Sequence, residues 1–257
     1  MAIIHLFQAN LRKQAIELKR YAPNTIAMVL TVYIIFMAIF AGIKMIGNPV
    51  TQGVAVQHTM VNYIFWYLAM IIVNGVGYEI ITETTRGTFE QLGMSPSGIW
   101  RILTVRLLAD SILHSLMVIF LLYLSMITTN QWLNVDFISI IPIFLFACLS
   151  MYGLAFIIAG LTIIFKQIQA FLQIFQFVLA GLTFIALPSL PFFLFLPLTK
   201  GLSMIRAIMI EGDVLTDFTM LDFTLLIGNA LIYVGVGLGF YLYCENYAMK
   251  RGLLAHY

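Results

Sequence analysis

Charge is what this chain has least of. Only 9% of its 257 residues are Asp, Glu, Lys or Arg, while 62% are hydrophobic; a water-soluble domain carries roughly a quarter charged residues. So short a chain cannot hide the surplus in a core and still cover itself with water-facing groups. Lipid is the implied solvent. A net charge of +2 is too small to build a nucleic-acid-binding surface, so that partner class is excluded. Cysteine is nearly absent: Cys148 and Cys244 fall in separate apolar stretches, without metal-ligand spacing, and no disulfide or metal site is expected. His5, His58, His114 and His256 are scattered. The spacings G-x-x-x-x-G-K-[ST], H-E-x-x-H and G-x-S-x-G do not occur, which removes a nucleotide-phosphate cradle, a zinc protease and a hydrolase nucleophile turn. We expect a non-enzyme with no catalytic residues that binds no cofactor of its own. The opening MAIIHLFQANLRKQ puts its basic residues after the short apolar stretch, the reverse of a secretory signal, so no cleaved leader is expected.

What is present is a succession of apolar runs. A membrane-crossing helix needs roughly 20 mostly apolar residues, and six stretches qualify: 25–46, 60–81, 107–127, 137–165, 170–198 and 223–244. The predicted fold is all-α, a single polytopic membrane domain over 1–257 with no soluble appendage. Basic residues are retained on the cytoplasmic side of a membrane. With both termini inside, ten of the thirteen cations are cytoplasmic and only Lys44, Lys200 and Arg206 are external; the opposite topology inverts that ratio. Cys244 then lies at the cytoplasmic end of the last stretch.

Two segments between the crossings carry their own pattern. Residues 1–22 alternate Ile4, Leu6, Phe7, Leu11 and Ile16 with Arg12, Lys13, Lys19 and Arg20, a basic amphipathic helix suited to the inner membrane surface and anionic lipid. Pro23 permits a fresh helix start, with Asn24 or Thr25 at the cap. Within 188–222, Pro188, Pro191 and Pro197 interrupt a stretch that is still apolar. Prolines remove backbone donors and disfavour helix before them, so the fifth crossing should break near Pro188 and continue as short helices dipping into the outer leaflet. Glu211, Asp213, Asp217 and Asp222 follow, read as a solvated rim because they lack calcium-loop spacing.

Polar groups inside the apolar runs are functional suspects. Asp110 and His114 lie one turn apart in the third stretch, with Arg106 one turn before Asp110; they read either as a proton relay or, preferably, as an ion-paired helix entrance at the headgroups. Gln169, Gln173 and Gln176 share one helical face. Amides are unfavourable against lipid, so this face should meet another helix, a second subunit or a polar passage. Asn62 and Asn74 in the second stretch, and Asn229 in the sixth, are weaker candidates. Gly228, Gly235, Gly237 and Gly239, with Ala155 and Ala159, should allow close helix packing.

The loop over 82–104 is shaped beyond the needs of a connection. Thr88 and Gln91 have capping-box spacing, and Glu90 suits a first helical turn. Gly93 can end that helix, Ser95 and Pro96 can start the next, and Trp100 and Arg101 mark the interface. The spacing predicts a short cytoplasmic helix that offers Phe89, Leu92 and Met94 for contact.

Here the chain resembles the permeases of type-two ABC exporters. The run E-T-T-R-G-T-F-E-Q-L-G-M-S-P over 83–96 is similar to that family's R-G-T-x-E-x-L-x-x-[ST]-P region. E-L-K-R-Y-A-P-N-T over 17–25 resembles its run into the first crossing, and L-P-L-T-K-G-L-S-M-I-R over 196–206 its P-L-T segment before the last. The resemblance implies a six-helix permease half with an amphipathic connecting helix, a coupling helix and external re-entrant helices. Arg86, Gly87, Thr88, Phe89, Glu90, Gln91, Leu92, Met94, Ser95 and Pro96 would then couple it to an ABC ATP-binding subunit. It implies a second permease subunit as partner, ATP and magnesium on the ATPase chain, and a place in the inner cytoplasmic membrane. The external region is too short for a large extracellular domain. An ion-coupled secondary carrier is the other reading, but the two halves show no matching broken helices.

Overall fold

In lipid the backbone can satisfy its polar groups only within helices or closed barrels, and these apolar runs take the helical solution. The structure, a computed structural model, describes residues 2–47, 51–96, 98–184 and 195–252, and among them there is no strand. Helix α1 spans Ala2–Arg20, α2 Ala22–Ile46, α3 Gln52–Thr85, α4 Phe89–Gly93 and α5 Ile99–Thr129. They are followed by α6 over Phe137–Phe165, α7 over Gln169–Phe184, α8 over Thr199–Arg206 and α9 over Met220–Lys250. A π-helical turn, Ala207–Glu211, and a 3-10 turn, Leu215–Asp217, lie between α8 and α9.

Five of these helices, α2, α3, α5, α6 and α9, are long and apolar enough to cross a membrane. Helix α6 has the predicted bounds, whereas α3, α5 and α9 overrun their apolar stretches at both ends. Their 34, 31 and 31 residues exceed the roughly 20 that the hydrocarbon requires. Of the run expected over 170–198, the described part is helix α7, whose 16 residues reach Phe184; the remainder up to position 194 lies outside the described residues. Pro188 and Pro191 lie outside the described residues.

Helix α2 starts as expected, with Pro23 in its first turn, where a missing N–H costs nothing. Thr25 does not cap it but donates its hydroxyl back to the Tyr21 carbonyl. Asp136 caps α6 by accepting from the Ile138 N–H at 3.2 Å. At α9, Thr219 and Asp222 form a reciprocal capping box.

Helices α3 and α6 form the centre, with α9 laid along α6 and α5 and α7 on other flanks of α3. The α6–α9 contact is made backbone to backbone. A Cβ on Gly237 would lie 2.1 Å from the Gly153 carbonyl oxygen, and one on Gly153 would lie 2.3 Å from the Tyr233 carbonyl carbon. Of the glycines expected to pack here only Gly237 does so; Gly228, Gly235 and Gly239 have no neighbour within 4 Å on their open side. Ala155 and Ala159 are fully buried, as expected.

Helix α7 runs antiparallel to α3. Its Leu172 packs at Gly77, the Gln176 carbonyl accepts from Trp66 Nε1 at 3.0 Å, and Thr183 reaches the level of Asn62 through Arg206. Helix α8 sits inside the bundle rather than on its rim: Gly201, Leu202, Met204 and Ile205 are buried, and a Cβ on Gly201 would lie 2.7 Å from that of Ala147 in α6. The acidic rim is corrected at Asp222, which pairs with Lys200 at 2.6 Å; Glu211 and Asp217 are exposed, and Asp217 also accepts from the Val214 N–H at 2.9 Å.

Candidate functional site

At the end of α3 the chain must reverse to reach α5, and four side chains govern how it does so. Gly87 takes φ +69°, a left-handed conformation that suits glycine. Thr88 then donates its N–H to the Glu83 carbonyl at 2.9 Å and its hydroxyl to the Glu83 carboxylate. The same carboxylate accepts from Arg106 Nη1 of α5 at 2.8 Å, and that nitrogen also donates to Glu79 at 2.7 Å. These three charges are largely shielded, at 15% to 23% side-chain exposure. Shielding strengthens charge-assisted hydrogen bonds that would be weak in open water.

Helix α4 hangs from this cluster. Phe89, expected to be open to a partner, is instead 3% exposed and part of the core; an aromatic ring on so short a helix finds more contact inside than out. Leu92 is half-buried against that core. The surface that remains is Arg86, Gly87, Glu90, Gln91, Met94 and Pro96, all exposed, with Thr88 and Ser95 half-buried. Gly93 ends the helix as expected. Two cap assignments are corrected. Thr88 makes no cap hydrogen bond, because its hydroxyl is turned back to Glu83. Helix α5 begins at Ile99 behind Gly98 at φ +73°, not at Pro96.

The proton-relay geometry is absent from α5. Arg106 turns to the glutamates of α3, whereas Asp110 is half-buried and faces Gln14 of α1. His114 keeps a buried Nδ1 without a partner among the described residues. The ion-paired entrance is therefore closer to what is found, with the pairs running between helices rather than along one. Glu79 and Glu83, spaced to share one helical face, were the signal that sequence reasoning missed.

The polar residues singled out for a pathway or subunit interface divide into two groups. Gln169 and Gln173 are exposed on the outer face of α7 and Gln176 is half-buried, while Leu172, Leu179 and Thr183 face inward. Asn62 and Asn74 are buried. Asn74 Oδ1 has no partner among the described residues, and Asn62 Oδ1 accepts from Arg206 Nε at 2.6 Å. Arg206 Nη2 also donates to the Thr183 carbonyl at 2.6 Å. Burial lowers this guanidinium from its ordinary pKa, yet an arginine stays charged. The sequence marks Arg206 only as an external cation. A separate apolar cavity of about 200 Å³ opens between α3, α5 and α6, lined by Val61, Phe65, Leu68, Val118, Phe144 and Met209 among others.

Among the described residues no group of three His, Cys, Asp or Glu side chains could hold a metal ion. Comparison with protein-family models finds no match, and comparison with curated proteins finds none.

Proposed function

We propose that this chain is the permease half of an ATP-driven exporter, paired with a second permease subunit and driven by separate ATP-binding chains that carry the ATP and magnesium. The observation that carries the reading is the fastening of α4. Its buried Phe89 and the Thr88–Glu83–Arg106–Glu79 network fix a five-residue helix to the ends of α3 and α5. Its polar edge, Glu90 and Gln91, with Met94 beyond it, faces outward. A connection that only joins two helices needs no such fastening; a surface that receives force from another protein does. The similarity of 83–96 to exporter permeases supports the same reading.

In this reading α7 makes the sixth crossing, and α8 returns into the bundle from the far end. Helix α7 alone spans about 24 Å, somewhat less than the roughly 30 Å hydrocarbon layer. Both termini and α4 then lie on the cytoplasmic side of the inner membrane, where ten of the thirteen cations gather, and α1 lies along its surface. The second permease would cover the glutamine face of α7 and helix α2, whose apolar window is only 17% buried within this chain.

The test is affinity capture with a co-expressed ATP-binding chain, followed by ATPase measurements in reconstituted vesicles. Wild type should retain the ATPase and raise its turnover, and Glu90→Lys should lose both through charge reversal at the contact. Full retention and stimulation by the Glu90→Lys protein would remove α4 from the coupling surface.

A further inference from the structure

Arg206 has no role in the coupling reading, and its surroundings are unusual for a shielded cation. It closes α8 where the helix widens into a π-helical turn, a feature often found at functional sites. Its Nε and Nη2 each donate at 2.6 Å, to Asn62 Oδ1 and to the Thr183 carbonyl. Both acceptors are neutral. A guanidinium has five N–H donors, and no protein acceptor for Nη1 is found among the described residues.

No carboxylate pairs with Arg206 among the described residues. The undescribed positions contain no Asp or Glu, so no acidic side chain of this chain remains to supply one. The other two cations at this end are both engaged: Lys200 by Asp222 at 2.6 Å, Lys44 by the Phe40 ring at 4.9 Å. Glu211 is near enough to act electrostatically on His58, as Arg206 does, but it makes no ion pair with the guanidinium.

The depth of the site suggests its ligand. Asn62 and Glu83 lie on one helix, about 30 Å apart at the α-helical rise, close to the thickness of the hydrocarbon layer. Arg206 therefore stands at the headgroup level opposite α4. A shielded arginine with neutral partners and free N–H groups is fitted to two oxygens of one anion, where charge and fork geometry act together.

We propose that Arg206, oriented by Asn62 and the Thr183 carbonyl, is a binding site for a phosphate group, carried by a phospholipid headgroup or presented as free phosphate. Phosphate binding here is independent of any ATPase, so it can be tested on the chain alone.

The full chain in an uncharged maltoside micelle is titrated with three probes: a short-chain phosphatidylglycerol, the matching diacylglycerol without phosphate, and inorganic phosphate. Binding is read by phosphorus NMR line broadening for the phosphate-bearing probes and by thermal unfolding for all three. Wild type should bind the phosphatidylglycerol saturably and ignore the diacylglycerol. Saturation by inorganic phosphate as well identifies free phosphate as sufficient, and saturation by the lipid alone identifies a headgroup; either supports the site. Arg206→Gln should weaken binding at least about tenfold, the scale of a lost charge-assisted hydrogen bond. Asn62→Asp places a carboxylate beside the guanidinium at nearly constant shape, so the fold is kept while the site is neutralised, and it should lose binding equally. That variant decides the matter should Arg206→Gln prove unstable. Absence of saturation on wild type, or wild-type affinity in Asn62→Asp, overturns the proposal.

Discussion

Glu83 and Arg106, 23 positions apart in sequence, meet at 2.8 Å across α3 and α5, and Thr88 of the intervening loop closes on the same carboxylate. The loop and the two helices it joins therefore share one electrostatic anchor. Arg106→Gln should remove the cation from two shielded glutamates at once. Breaking a fully buried pair costs about 3–5 kcal/mol; with this partial exposure a loss of about 2 kcal/mol is expected. The checks are thermal unfolding in detergent and faster hydrogen exchange over 86–96. An unchanged exchange rate in that segment would show that α4 is held by something else.

Phe89 and Glu90 are neighbours with opposite duties. Phe89→Ala should cost about 3–5 kcal/mol of stability, the range for emptying a buried aromatic site. Glu90→Lys, on the exposed edge, should change stability by less than about 0.5 kcal/mol while abolishing ATPase capture. Melting temperatures and pull-downs on the two variants separate packing from docking.

Gly237 and Gly235 form a second pair. A Cβ at Gly237 has a carbonyl oxygen 2.1 Å away, whereas one at Gly235 meets nothing within 4 Å. Gly237→Ala should force α6 and α9 apart at a cost of about 1–3 kcal/mol. Gly235→Ala should be neutral or stabilise by roughly 0.5–1 kcal/mol through helix propensity. Equal melting temperatures for the two variants would contradict the backbone contact.

Orientation can be read by thiol labelling. Both native cysteines are buried. Cys244, though near the cytoplasmic end in the proposed topology, packs against Gly160, so reagent from either side should label neither thiol in the folded protein. Met94 is 78% exposed and Met220 86%. Met94→Cys should react only in inside-out vesicles and Met220→Cys only in intact cells. The opposite pattern would invert the topology.

Gln173 is exposed on α7, so Gln173→Leu should leave insertion and monomer stability intact. Assembly with the second permease or substrate selectivity should change. Crosslinking yield and transport over a substrate panel are the measurements, and no change in either would free this face from an interface role.

Much of the architecture is written in the apolar runs, because lipid permits few alternatives: the bounds of α6 follow from composition alone. The amphipathic α1 and the short α4 followed from charge alternation and turn residues. Interactions between distant residues were not legible. Nothing in 82–104 reveals that Phe89 turns inward, since an exposed and a buried phenylalanine look alike in a five-residue helix. Pairing of Arg106 with α3 rather than with Asp110 required knowing which helices are neighbours. Arg206 was hidden for the same reason, as both of its anchors lie far away in sequence.

Helix α3 has no proline along its 34 residues, the commonest cause of a sharp kink, and carries the α4 anchor near one end and Asn62 toward the other. As one continuous helix it is about 51 Å long. Glu83 and Asn62 are thus set on the same element, and a rigid-body tilt of that helix at the α4 anchor would shift the side chain that orients Arg206.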